Sequence, residues 1–137
     1  MTRTIIVVVA GFLVTVFLLS IGTYVAVRTS SSGQMVSGQS PMPADPWLAV
    51  RGWHYTTLLF VSLPTVLVVG FLVGLSAKRY QLLAAVLATS PVSVMAFGWD
   101  WRDALVAGGL VLCAMGTAYL PIWRRSRSET TPAVQVG

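Results

Sequence analysis

Four stretches of this chain hold no Asp, Glu, Lys, Arg or His: Ile5–Val27, Tyr55–Ala77, Tyr80–Phe97 and Ala104–Trp123. An apolar run of about 18 residues or more reads as a membrane-spanning helix. In hydrocarbon no water serves the backbone N–H and C=O groups, so each segment has to satisfy its own. What remains outside the four stretches is too short for a separate soluble domain. The side chains agree: 55% are hydrophobic and 9% charged, where a soluble domain is about one quarter charged. The sequence therefore predicts an all-α integral membrane bundle of four transmembrane helices, a single membrane domain over residues 1–137.

The first stretch follows Arg3 and competes with a cleaved signal peptide. Such a peptide has an apolar core of about 7–15 residues and a small-x-small cleavage site. Here the core is longer and Tyr24-Val25-Ala26 is a poor site, so an uncleaved signal-anchor helix is expected. At 1.5 Å per residue it reaches roughly 34 Å, slightly more than the bilayer's apolar core of about 30 Å.

Residues 28–45 form the longest connection. Ser, Gly, Gln and Pro dominate it, and such a segment buries too little apolar area to offset its ordering entropy. It is expected as a flexible extracytoplasmic loop that tolerates trimming. Asp45-Pro46 then has the pattern of a helix start, a capping acid before a proline. Residues 46–52 have two readings: an interfacial helix that turns at Gly52, or the beginning of a longer second span.

Pro64 and Pro91 interrupt the second and third stretches, and each removes a backbone hydrogen bond and kinks its helix. Thr89, Ser90 and Ser93 can serve the carbonyls freed at Pro91. Gly70 and Gly74 form a GxxxG pair, and Ala104, Gly108 and Gly116 repeat at four residues or a multiple of it. Small residues on one face let two helices approach, so these are candidate contacts within the bundle or with a partner. Asp100 and Asp103 precede the fourth stretch, where acids favour the positive helix end. A short polar tail follows at about 124–137.

Four spans put both termini on one side, with Arg3, Lys78, Arg79, Arg124, Arg125 and Arg127. The other side has Arg28, Arg51 and Arg102, with Asp45, Asp100 and Asp103. Basic residues mark the cytoplasmic face, so both termini are expected in the cytoplasm and the chain in the cell membrane. The net charge of +5 sits at span ends, where it meets lipid headgroups. No basic stripe with interleaved aromatics suggests nucleic acid.

The outer side also collects Trp47, Trp53, His54, Tyr55, Trp99 and Trp101. An interfacial aromatic belt accounts for such a layer, and helix capping accounts for the acids. A site built on His54, Asp100 and Asp103 is the sharper alternative. A metal usually takes three or four ligands, and these three meet only where the two outer segments meet. One cysteine, Cys113, and one histidine leave no disulfide framework, dithiol or bis-histidine haem, and no cofactor is expected.

The spans carry no ionisable group well inside them, although proton-coupled transporters usually need one. No nucleophile with a base and no phosphate loop occurs, and the chain is not expected to be an enzyme. The preferred expectation is a non-enzymatic accessory or assembly protein in the lipid bilayer. It would act through helix contacts with a second copy or another membrane protein. The alternative is a small transporter or channel subunit for a small solute, with its path at Pro64 and Pro91.

Overall fold

The computed structural model describes residues 2–77, 80–96 and 100–129, without the side chains of Arg125, Ser128 and Glu129. The turn at Lys78-Arg79, the end of the third stretch at Phe97 with Gly98 and Trp99, and the tail from residue 130 lie outside them. The described chain is helical throughout, apart from connections. Its helices are α1 (Thr2–Thr29), α2 (Ser31–Val36), α3 (Pro46–Thr57), a π-helical turn (Leu58–Ser62), α4 (Leu63–Ser76), α5 (Gln81–Ala88), α6 (Ser90–Ala96) and α7 (Trp101–Glu129). Among the described residues, three helices are long and apolar enough to cross a membrane: Thr2–Thr29, Pro46–Ser76 and Trp101–Arg124.

The second of these is longer than its apolar stretch. Asp45 caps it, its carboxylate accepting the Trp47 N–H at 3.1 Å, and Pro46 takes the first turn. Gly52 does not end the helix. Glycine inside a helix costs about 1 kcal/mol, and here it leaves room for Ser32, whose Oγ lies 3.1 Å from where a Cβ would stand. Residues 46–52 are therefore part of the long helix, not a separate interfacial one.

At Pro64 the helix widens. The Leu63 N–H donates to the Leu58 carbonyl, a π-type bond, one turn ahead of the proline. Proline has no N–H to give and its ring presses on the carbonyl four residues back. A single π turn accommodates both. Thr65 Oγ1 donates to the Val61 carbonyl at 2.6 Å.

The stretch expected as the third span is two short helices, α5 and α6, separated at Thr89. Pro91 leaves the Leu87 carbonyl without its helical donor, and Ser90 Oγ donates to it at 2.9 Å. Thr89 Oγ1 donates to the Ala85 carbonyl at 2.8 Å. The hydroxyls near Pro91 thus close the break in the backbone.

Contacts fix the directions. On α1, a Cβ at Gly11 would meet Ala88, Val73 and Val69, and one at Gly22 would meet Val61. Rising numbers on α1 match falling numbers on the second long helix, so the two are antiparallel. Gly70 lies against Ala114 and Gly74 against Ala118, so α4 and α7 run parallel. The α5 alanines pack with Val73, Ala77 and Ala118, and Val92 and Ala96 of α6 pack with Leu58, Val61, Ala107 and Leu110. Residues 81–96 therefore run back along α4. The start of α1 and the end of α7 share one end of the bundle.

The interior is built from small side chains. Ala85, Ala88, Ala96, Ala114 and Ala118 are fully buried, whereas Phe17, Phe60 and Leu112 are 63%, 71% and 69% exposed. Large apolar groups outside and small ones inside suit a lipid environment, where close helix approach replaces hydrophobic collapse.

The segment after α1 is not wholly a loop. Ser30 Oγ accepts the Gly33 N–H at 3.0 Å and starts α2. Gly33 is buried against the Trp53 ring and the backbone of Ala26 and Val27. A polar composition hides such docking, because the buried residue has no side chain to announce it.

Candidate functional site

The residues expected on the outer side come together where α3 passes the start of α7. Asp100 and Asp103 first serve the helix itself. The Trp101 N–H donates to Asp100 Oδ1 at 2.7 Å, and the Asp100 N–H donates to Asp103 Oδ2 at 3.3 Å. The second bond is one half of a capping box, and both acids stand at the positive helix end.

On α3, Arg51 and His54 are three residues apart and so share a helix face. Arg51 Nη2 lies 3.9 Å from Asp100 Oδ2, and His54 Nε2 lies 3.8 Å from Asp103 Oδ1. The two pairs differ in setting. Arg51 and Asp100 are substantially exposed, while the His54 and Asp103 side chains are 19% and 9% exposed. An exposed pair of this kind contributes about 0–1 kcal/mol.

Trp47, Arg51, His54, Tyr55, Asp100 and Asp103 line a pocket of about 190 Å³. His54 also borders a second cavity of about 180 Å³ inside the bundle, where Thr23, Thr57 and Ser62 are among the lining residues. The imidazole thus stands between an outer, charged pocket and an inner, hydroxyl-bearing one. The inner cavity lies beside the π turn.

Among the described residues, His54 Nε2 is a buried polar atom with no hydrogen-bond partner. The 3.8 Å to Asp103 is too long for a hydrogen bond. Leaving such an atom unsatisfied costs about 1–3 kcal/mol. Among the described residues, no group of three or more His, Cys, Asp or Glu is arranged to hold a metal ion.

The helix-contact candidates divide. Gly70 and Gly74 lie in the α4–α7 interface, close enough to the Ala114 and Ala118 backbone that no Cβ fits without a shift. Ala104, Gly108 and Gly116 are on the exposed side of α7, and a Cβ at Gly108, Gly109 or Gly116 would meet nothing within 4 Å. The bundle-facing row of α7 is Ala107, Leu110, Ala114, Ala118 and Pro121 instead. Gly11 and Gly22 are close-approach positions on α1 that the sequence did not single out. Pro64 is exposed and Pro91 half-buried, and neither lines the His54 cavities.

No protein-family model matches this chain, and neither a curated protein nor a solved structure matches it.

Proposed function

We propose that this chain is a multi-pass protein of the cell membrane that crosses four times, both ends cytoplasmic, and works as a non-enzymatic accessory or assembly protein through its last helix. Two considerations support four passes. Parallel neighbours α4 and α7 need a return segment, and α5 with α6 runs the right way, held together across Thr89. In the four-pass order of the sequence, six basic residues fall on the side of the termini and three on the other, which is the cytoplasmic bias of the positive-inside pattern.

The observation that carries the functional reading is the outward face of α7. Gly108, Gly109 and Gly116 meet nothing within 4 Å, although the opposite face of the same helix already supplies the bundle contacts. In lipid, a small-residue face gains nothing until another helix approaches it. A second copy or another membrane protein is the occupant. The test is a photo-crosslinker at Gly109 compared with one at Leu13 on α1, in membranes. A discrete crosslinked product from Gly109 alone, abolished by Gly108→Leu together with Gly116→Leu, is expected. Equal, diffuse labelling from both positions would mean that the face meets only lipid.

A second reading has its own observation, the inner cavity with Thr23, Thr57 and Ser62 beside a π turn. Under it the chain is a transporter or channel subunit for a small solute. Purified protein that moves solute across liposomes, with a flux altered by Ser62→Ala, would favour it over the accessory role.

A further inference from the structure

We propose that the pocket between α3 and α7 is a binding site for a primary ammonium group, gated by the protonation of His54. The site is independent of the exposed α7 face, and neither reading needs the other.

The charge of the lining comes first. Among the described residues the pocket carries two carboxylates, Asp100 and Asp103, and one guanidinium, Arg51. With His54 neutral these described groups carry one net negative charge, which favours a cation over an anion. Trp47 and Tyr55 are among the residues lining the same pocket, and aromatic residues attract organic cations. The volume of about 190 Å³ admits an alkylammonium of a few heavy atoms.

The hydrogen-bond requirement then narrows the cation. His54 Nε2 is buried and has no partner among the described residues. As a neutral imidazole it accepts through Nε2, provided the proton sits on Nδ1. Asp103 Oδ1 stands 3.8 Å away. One nitrogen bearing several N–H donors reaches both acceptors from within about 2.8 Å. A quaternary ammonium has no N–H to give, and an alkali ion has none either. The primary ammonium is therefore the preferred class, and it can come from a free amine in solution or from an aminophospholipid headgroup.

The proton competes for the same place. Protonated His54 is no longer an acceptor, and it supplies the positive charge that the ligand would bring. The groups facing it are Asp103 and Asp100 from α7, and Arg51 and Tyr55 from α3. From α1, Thr23 borders the cavity, and from α6, Met95 does, and neither titrates. Binding of an ammonium thus weakens on acidification and releases a proton where His54 was charged.

His54 is the sole histidine, so its ring C2–H resonance in tag-free, full-length protein is a direct reporter. In nanodiscs of phosphatidylcholine, added methylammonium should shift that resonance saturably where the ring is neutral and not where it is protonated. Tetramethylammonium should leave it unmoved. Asp103→Asn should weaken methylammonium at least about tenfold, the loss of one charge-assisted hydrogen bond. Arg51→Gln should strengthen it, and this opposite sign keeps the test sound if Asp103→Asn unfolds. If nanodiscs with phosphatidylethanolamine already give the shifted signal and methylammonium adds nothing, the headgroup is the source. If those nanodiscs behave as phosphatidylcholine does, the free amine is. No saturable shift, an equal shift by tetramethylammonium, or an affinity unchanged in both variants overturns the proposal.

Discussion

The α3–α4 helix and α7 run side by side, but their two ends are held in opposite ways. Around Gly70 and Gly74 the backbones touch. A Cβ built at Gly74 would lie 2.5 Å from the Ala118 carbonyl oxygen and 2.7 Å from its Cα. Around His54 the helices are separated by a charged pocket, with a gap of 3.8 Å to Asp103. One end is closed by the absence of side chains, the other is kept apart by long polar ones. A bundle in lipid has little hydrophobic drive to close it, so dispersion at the glycine end holds the pair. The polar end keeps a pocket open between the two helices.

Breaking the closed end should have the largest effect. Gly74→Leu places a side chain against backbone atoms that cannot rotate away. Overpacking costs about 1–3 kcal/mol even where side chains yield, and here the helices themselves have to separate. Loss of accumulation in the membrane, or a large drop in the thermal unfolding midpoint in mild detergent, is the expected outcome. An unchanged midpoint would show that the glycines do not hold α4 to α7.

That contrast also marks what the sequence could reveal. The long helices were legible because a membrane imposes length and bars charge, and both are visible in a single sequence. The layer at this end was legible as a layer, since the expected passes put Arg51, His54, Asp100 and Asp103 together, and the structure does bring these four to one pocket. Its pairing was not, because it depends on α3 and α7 being parallel neighbours, which no local pattern encodes. Which of its faces α7 turns to the bundle was left open in the sequence for a related reason. In water the buried face of a helix is apolar and the other is polar, but in lipid both are apolar and the periodicity disappears. Ala104, Gly108 and Gly116 and the row of Ala107, Ala114 and Ala118 are then equally small and regularly spaced. Only the structure separates the row on α4 from the row facing outward. The break at Thr89 is similar: Pro91 announced a kink, while the full interruption lies at Thr89, whose backbone (φ −96°, ψ 5°) leaves the helical range, with Ser90 Oγ serving the Leu87 carbonyl.

The connection after α1 offers an intermediate effect. Gly33 meets the Trp53 ring, Val27 Cα and the Ala26 carbonyl oxygen within 2.8 Å of a built Cβ, whereas Gly38 meets nothing. Gly33→Leu should lift α2 from the start of the second long helix at a cost of about 1–2 kcal/mol. Limited proteolysis should then cut within Ser31–Val36. Deleting Ser37–Gln39, which is exposed, should change protease sensitivity little. Equal sensitivity in both variants would mean that α2 contributes no hold on α3.

The smallest effect on stability should come from the face of α7 turned away from all of this. A leucine at Gly108 enters open space, with nothing within 4 Å. It also replaces the poorest ordinary helix former with one of the best, a gain of up to about 1 kcal/mol in propensity. Purified Gly108→Leu should therefore unfold at or slightly above the midpoint of the parent chain, while Gly74→Leu, the same chemical change on the neighbouring helix, falls far below it. The comparison separates two roles that one residue type plays in one bundle. If both leucines destabilise the isolated protein alike, Gly108 is inside a contact of the single chain, and the outward face is not free to receive a partner. If only Gly74→Leu does, any loss that Gly108→Leu causes in native membranes has to arise from what binds there.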